Sequence, residues 1–172
     1  MNNIDIALLG FLFQNDMHGY DMFKVISDSD GFGAIYTIKI GRLYSILNKL
    51  EEGGYVESKL CASGARPPKK MYSITEIGKR IFDNWLRTPV KHGREIRINL
   101  LIKLYFAEKY QFLSADEIVN GQIDECKKWL DGIINSGHPQ ENENNFLLLV
   151  NEFRISQINA YINWLKTCKR IN

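Results

Sequence analysis

What this chain of 172 residues lacks is informative. No apolar run reaches the ~18 residues needed to cross a bilayer. The apolar stretch Ile4–Phe13 is not preceded by a basic segment, so it does not read as a signal peptide, and the cytoplasm is the expected compartment. Cysteine is scarce: Cys61, Cys126 and Cys168 are far apart and odd in number, which excludes a disulfide framework and any zinc-type spacing. Cys126 and Cys168 fall on apolar helix faces and read as small reduced apolar side chains. Cys61 lies in a presumed hairpin, where a redox-sensing role stays open. There is no P-loop, no Rossmann glycine fingerprint and no internal repeat, so no cofactor or metal is implied. His18, His92 and His138 have no Ser, Cys or carboxylate at a meaningful spacing, so an enzyme would lack a nucleophile, a base and an orienting group.

Apolar residues make up 45% of the chain, enough for a packed core. The net charge is only +2, which argues neither for nor against nucleic acid; its distribution says more. Thr37 to Leu50 holds three Lys/Arg and no acid, and Lys59 to Tyr72 holds four and no acid. From Asp116 to Asp131 there are five acids and two bases.

The spacing of Ile4, Leu8, Phe11 and Leu12 predicts a first helix to about Phe13. A second begins near His18-Gly19-Tyr20, with Tyr20, Phe23 and Ile26 on one face, and ends at Ser27–Gly31. Thr37 is the expected N-cap of a third, whose apolar face is Ile40, Leu43, Leu47 and Leu50. Gly53-Gly54 supplies the left-handed residue that closes it. Tyr55–Leu60 and Lys70–Ile74 read as the strands of a hairpin. The tip is Ala62–Pro68, which places both prolines outside the ladder. A fourth helix runs from Thr75-Glu76 to Trp85, with Ile77, Ile81, Trp85 and Leu86 facing inward. Pro89–Arg94 is a polar break and a candidate boundary between domains 1–89 and 90–172. Three more helices follow, marked by Ile98, Leu101, Ile102 and Tyr105; by Ile118, Gln122, Cys126, Trp129, Leu130 and Ile133; and by Phe146, Val150, Phe153, Gln157, Ala160 and Trp164. The last set steps by four and three, a heptad seam suited to a helical partner. The fold class is therefore mainly α with a small β-hairpin: a winged helix-turn-helix followed by a helical dimerisation region.

Three blocks in order carry a family resemblance. They are His18-Gly19-Tyr20, then Gly41-x-Leu43-Tyr44-x-x-Leu47-x-x-Leu50-Glu51-x-x-Gly54-x-Val56, then Gly64-x-Arg66-Pro67-Pro68-Lys69-Lys70-x-Tyr72-x-Ile74-Thr75-x-x-Gly78. Together they resemble the PadR family of bacterial transcriptional regulators over roughly Ile4 to Trp85. The helical remainder is similar to the longer C-terminal region of that family's virulence-activator branch. The resemblance implies a homodimer joined through its C-terminal helices, binding to an inverted repeat of double-stranded DNA, and repression relieved by a small hydrophobic or phenolic effector. Arg42 stands where the family usually has Ser or Thr, Ser45 where it usually has Pro, and Met71 where the wing usually has an aromatic, so the target sequence is the part least carried over.

The residues themselves suggest a division of labour. Lys39 and Arg42 sit near the N-terminus of the third helix, where recognition helices meet base edges, and Arg42 can bond guanine bidentately. Thr37, Tyr44 and Lys49 extend that face, with Tyr44 positioned to pack its ring while its hydroxyl reaches a phosphate. Lys59, Arg66, Lys69 and Lys70 are the expected phosphate contacts of the wing. A solvated face is the bland alternative for each. Trp85, Tyr105, Trp129 and Trp164 are candidate walls of an effector pocket, though core or interface packing explains them as simply. Phe146, Val150, Phe153, Ala160 and Trp164 are the expected dimer contacts. A DNA-free protein–protein scaffold is the competing function; its outer helix face should be mixed or acidic, whereas this one carries only bases through Leu50.

Overall fold

A computed structural model describes residues 1–63, 66–110, 114–135 and 145–168; the side chains of Ala62, Ser63, Arg66, Pro67 and Asn145 fall outside that description. The order is α1 (Asn3–Phe11), β1 (Met17–His18), α2 (Gly19–Ile26), a 3-10 turn (Phe32–Ala34), α3 (Ile40–Glu52), β2 (Val56–Ser63), β3 (Arg66–Ile74) and α4 (Glu76–Arg87). Then come α5 (Gly93–Glu95), a π-helical stretch (Ile96–Leu100), α6 (Leu101–Tyr110), α7 (Ala115–Asn135) and α8 (Asn145–Cys168). No helix among the described residues is long and apolar enough to cross a membrane.

The expected hairpin is part of a three-stranded antiparallel sheet, ordered β1-β3-β2. β1 pairs Met17 with Tyr72 and His18 with Met71, and this explains the otherwise odd His18. Its Nδ1–H donates to the Lys70 carbonyl at 2.9 Å, so the ring ties down the wing. Pro67 and Pro68 lie within β3, contrary to the sequence expectation. They are tolerated because the β2–β3 register is irregular there, running from Cys61↔Lys69 to Ser63↔Arg66 with a shift between.

Local chemistry sets the ends of the elements. α1 begins with a capping box in which Asn2 and Asp5 each accept the other's backbone N–H. α3 is capped by Lys39 rather than Thr37, and without a side-chain bond. Gly54, at φ +70°, makes the left-handed turn into β2 that a side chain would resist. Thr75 caps α4 by accepting from Gly78 N, while its hydroxyl donates to Gly54 O at 2.8 Å, locking helix and wing together.

Burial corrects several expected faces. Ile40, Tyr20 and Ile77 are exposed, and their neighbours Ile46, Met22 and Phe82 are buried instead. The centre of the core is aromatic. Phe106 of α6 meets Phe11 and Phe82 edge-on and stacks on Tyr110, whose hydroxyl donates to Gly10 O. α6, beyond the expected boundary at Pro89, thus fills the core of the winged-helix half. The expected break at Pro89–Arg94 is also pinned: Gln122 of α7 accepts from Val90 N and donates to Val90 O, and Lys91 pairs with Glu125 at 3.1 Å.

Candidate nucleic-acid interface

α3 presents its N-terminal half to solvent, as a recognition helix must. Thr37, Lys39 and Arg42 are exposed, and the two cations have no ion-pair partner among the described residues. Tyr44 is half-exposed because its ring lies on the backbone at Gly19, where an added Cβ would sit 2.7 Å from the ring. That close approach is why glycine stands between His18 and Tyr20. Tyr20, placed on the apolar face by the spacing argument, projects outward beside Tyr44, with its ring near Lys24. Sequence reasoning missed it as a surface residue because the period of α2 is read equally well one position earlier, through Gly19, Met22 and Ile26.

A cleft of about 600 Å³ separates α3 from the wing, lined by His18, Gly19, Tyr20, Tyr44, Asn48, Pro68, Lys69, Lys70 and Tyr72. Lys59 and Lys69 are exposed without an ion-pair partner among the described residues. The Arg66 side chain lies outside the described residues. Two of the expected contacts are engaged within the protein. Lys49 donates to Asp5 at 2.9 Å, a carboxylate only 2% exposed, and so joins α3 to α1. Lys70 donates to Glu51 at 3.0 Å and joins α3 to the wing. Glu51 also accepts from the Ser58 hydroxyl, and these two partners hold its carboxyl below the usual range. Cys61 is half-buried in β2, its thiol facing the Lys59 carbonyl at 4.0 Å.

The four candidate effector-pocket aromatics do not share one cavity. Trp85 is buried and donates to Asn3 Oδ1 at 3.0 Å. Tyr105 lines an open cavity of about 680 Å³ with Asp30, Ile35, Leu101, Leu104 and Lys109, where the winged helix meets α6. Trp129 borders a different one, of about 580 Å³, between the 91–94 segment, α7 and α8. Trp164 is on the outer face of α8. There it joins Phe146 (71% exposed) and Phe153 (61% exposed), with Val150 half-buried and Ala160 exposed. The other side of α8, Asn151, Ile158, Ile162 and Leu165, is the one buried in the chain's own core.

A three-helix unit with a cationic helix face and a basic hairpin wing defines a winged helix-turn-helix of the transcription-regulator class. Residues 8–84 match the transcriptional regulator PadR-like family, so this part of the chain is a PadR-like domain. It is 24% identical over 123 residues to the negative transcriptional regulator PadR of Bacillus subtilis (strain 168), a match that spans 72% of this chain and 66% of that protein. The fold is similar to that of Bacillus subtilis PadR in a crystal structure with operator DNA, at 22% identity, TM-score 0.50, and coverage of 96% and 97% of the two chains. A transcriptional regulator from Clostridium thermocellum is 30% identical over 47% of this chain and 74% of its own, with TM-score 0.40.

Proposed function

We propose that this PadR-type transcriptional regulator works as a homodimeric, cytoplasmic DNA-binding protein, a repressor of an inverted-repeat operator, and not as an enzyme. One observation carries the reading. Lys39 and Arg42 on α3 and Lys59 and Lys69 on the wing are exposed and free of acidic partners among the described residues, and Lys69 lines the cleft between helix and wing with Tyr20 and Tyr44. Unneutralised cations flanking hydroxyl-bearing rings suit a phosphate backbone, and the N-terminal end of α3 suits base edges. Residues 1–89 carry this face, and residues 90–172 supply the dimer. The support for the dimer is the outer stripe of α8, which leaves Phe146, Phe153 and Trp164 in solvent in a single chain. The PadR of Bacillus subtilis has also been solved with p-coumaric acid. For this chain a small hydrophobic or phenolic effector fits the cavity beside Tyr105, where an occupant would touch both the winged helix and α6.

Duplex binding measured against salt tests the proposal. Lys69→Ala should flatten the log–log salt slope by about 1, and Arg42→Ala should cost about 1–3 kcal/mol on the preferred sequence and little on others. Duplex binding that ignores both salt and these substitutions would favour the scaffold reading instead.

A further inference from the structure

We infer that Glu51 is a positioning residue for sequence recognition, a clamp that fixes the wing against the recognition helix and withholds Lys70 from the phosphates. The inference rests on the DNA-binding reading above. Glu51 is in the last turn of α3, and its two carboxylate oxygens take different partners. Oε1 accepts from the Ser58 hydroxyl on β2, and Oε2 accepts from the Lys70 ammonium on β3 at 3.0 Å. One side chain therefore holds both strands of the wing. The sheet register makes this possible: Ser58 pairs with Tyr72 and Leu60 with Lys70, so Ser58, Tyr72 and Lys70 share one face of the sheet. Tyr72 on that face is 1% exposed, and the Lys70 ammonium stands 5.9 Å from its ring centre. The main chain of Lys70 is fixed separately, its carbonyl accepting from His18.

The clamp has a counterpart. Lys49, two residues earlier on α3, donates to the buried Asp5. The C-terminal turn of α3 is thus tied to α1 through Lys49 and to the wing through Glu51, while its N-terminal half is left free. The cleft lies between the elements so tied, lined by Tyr44 and Asn48 of α3 and by Lys69, Lys70 and Tyr72 of the wing. A wing held at one angle presents Lys69 and the recognition helix in one register; a loose wing presents them in several. A pair this exposed adds little stability, so its consequence is geometric.

The test uses the full-length protein with two probes: a random-sequence duplex, and a duplex selected from a random library by the wild type. Glu51→Gln keeps the shape of the clamp but releases the Lys70 charge. It should steepen the salt slope on the random duplex by about 1 and reduce the selected-to-random affinity ratio about tenfold, the scale of one lost base contact. Lys70→Met should leave the slope unchanged while lowering the same ratio, whereas Lys69→Ala should flatten the slope by about 1. Melting curves of Glu51→Gln and Lys70→Met confirm that they are folded, and either variant alone decides the matter. If Lys70→Met flattens the slope as much as Lys69→Ala does, Lys70 already contacts phosphate and the inference is overturned. It is also overturned if Glu51→Gln changes neither slope nor ratio. Salt-independent binding by the wild type would overturn the DNA-binding reading itself, and this inference with it.

Discussion

Lys103 should make the stability of this protein rise with pH, against the trend expected of an ordinary lysine ion pair. The side chain is 3% exposed, buried where α6 meets the end of α4. Its ammonium donates to Trp85 O at 2.6 Å and to Thr88 O, and lies 4.8 Å from the Trp85 ring centre. These bonds satisfy carbonyls at the C-terminus of α4, where a cation is favoured. Burial nevertheless pushes Lys103 down from 10.5 to about 8, with only a lesser opposing pull from Glu95. In the unfolded chain the group titrates near its ordinary value. Below about 8 both states carry the proton, and the full cost of burying the charge is present. Between about 8 and 10.5 the unfolded state binds more protons than the folded one, so rising pH favours folding. Between pH 7 and pH 10 such a shift is worth about 2 to 3 kcal/mol. Urea unfolding at a fixed protomer concentration, for wild type and Lys103→Met across that range, isolates the effect. The Met variant leaves two carbonyls without their donor, so it should be the less stable protein. The difference between the two should widen in favour of the wild type by about 2 to 3 kcal/mol as pH rises from 7 to 10. A difference that stays constant with pH, or narrows, refutes it.

Two further outcomes follow from the packing. Phe153→Glu, on the outer face of α8, should convert the full-length protein from dimer to monomer in light scattering while its helix content by circular dichroism is unchanged. A dimer that survives places the interface elsewhere. Phe106→Ala removes the ring shared by Phe11, Phe82 and Tyr110. It should cost about 3–5 kcal/mol in urea unfolding, and the fluorescence change of Trp85 should coincide with that of Trp129 because α6 is part of the winged-helix core. A loss under about 1 kcal/mol would show that the core closes around the gap.

How much of this was legible in the sequence depends on the range of the interaction concerned. Contacts within a few residues were read well. The helix of Leu43, Leu47 and Leu50, its stop at Gly54, the start of the fourth helix at Thr75-Glu76 and the inward face of Ile118, Gln122 and Cys126 all follow from local spacing. Where a face has an edge, spacing alone cannot say which neighbour falls inside, so Ile40 was taken for Ile46 and Ile77 for Phe82. Pairings over long separations were not legible. Lys49 and Lys70 look like free cations until folding brings Asp5 and Glu51 beside them, 44 and 19 residues away in sequence. α8 shows the same limit in another form. Its sequence carries two neighbouring stripes at heptad spacing, one through Phe146, Val150, Phe153, Gln157, Ala160 and Trp164, the other through Asn151, Ile155, Ile158, Ile162 and Leu165. Periodicity fits either, and the reading from spacing took only the more aromatic one. Only the packing against α7 shows that the aliphatic stripe belongs to the chain's own core. That assignment is what leaves Phe146, Phe153 and Trp164 in solvent in a single chain, and it is the ground for proposing them as the contact with a second copy: a helix that served its own fold with Phe153 and Trp164 would have turned Ile158 and Leu165 outward instead.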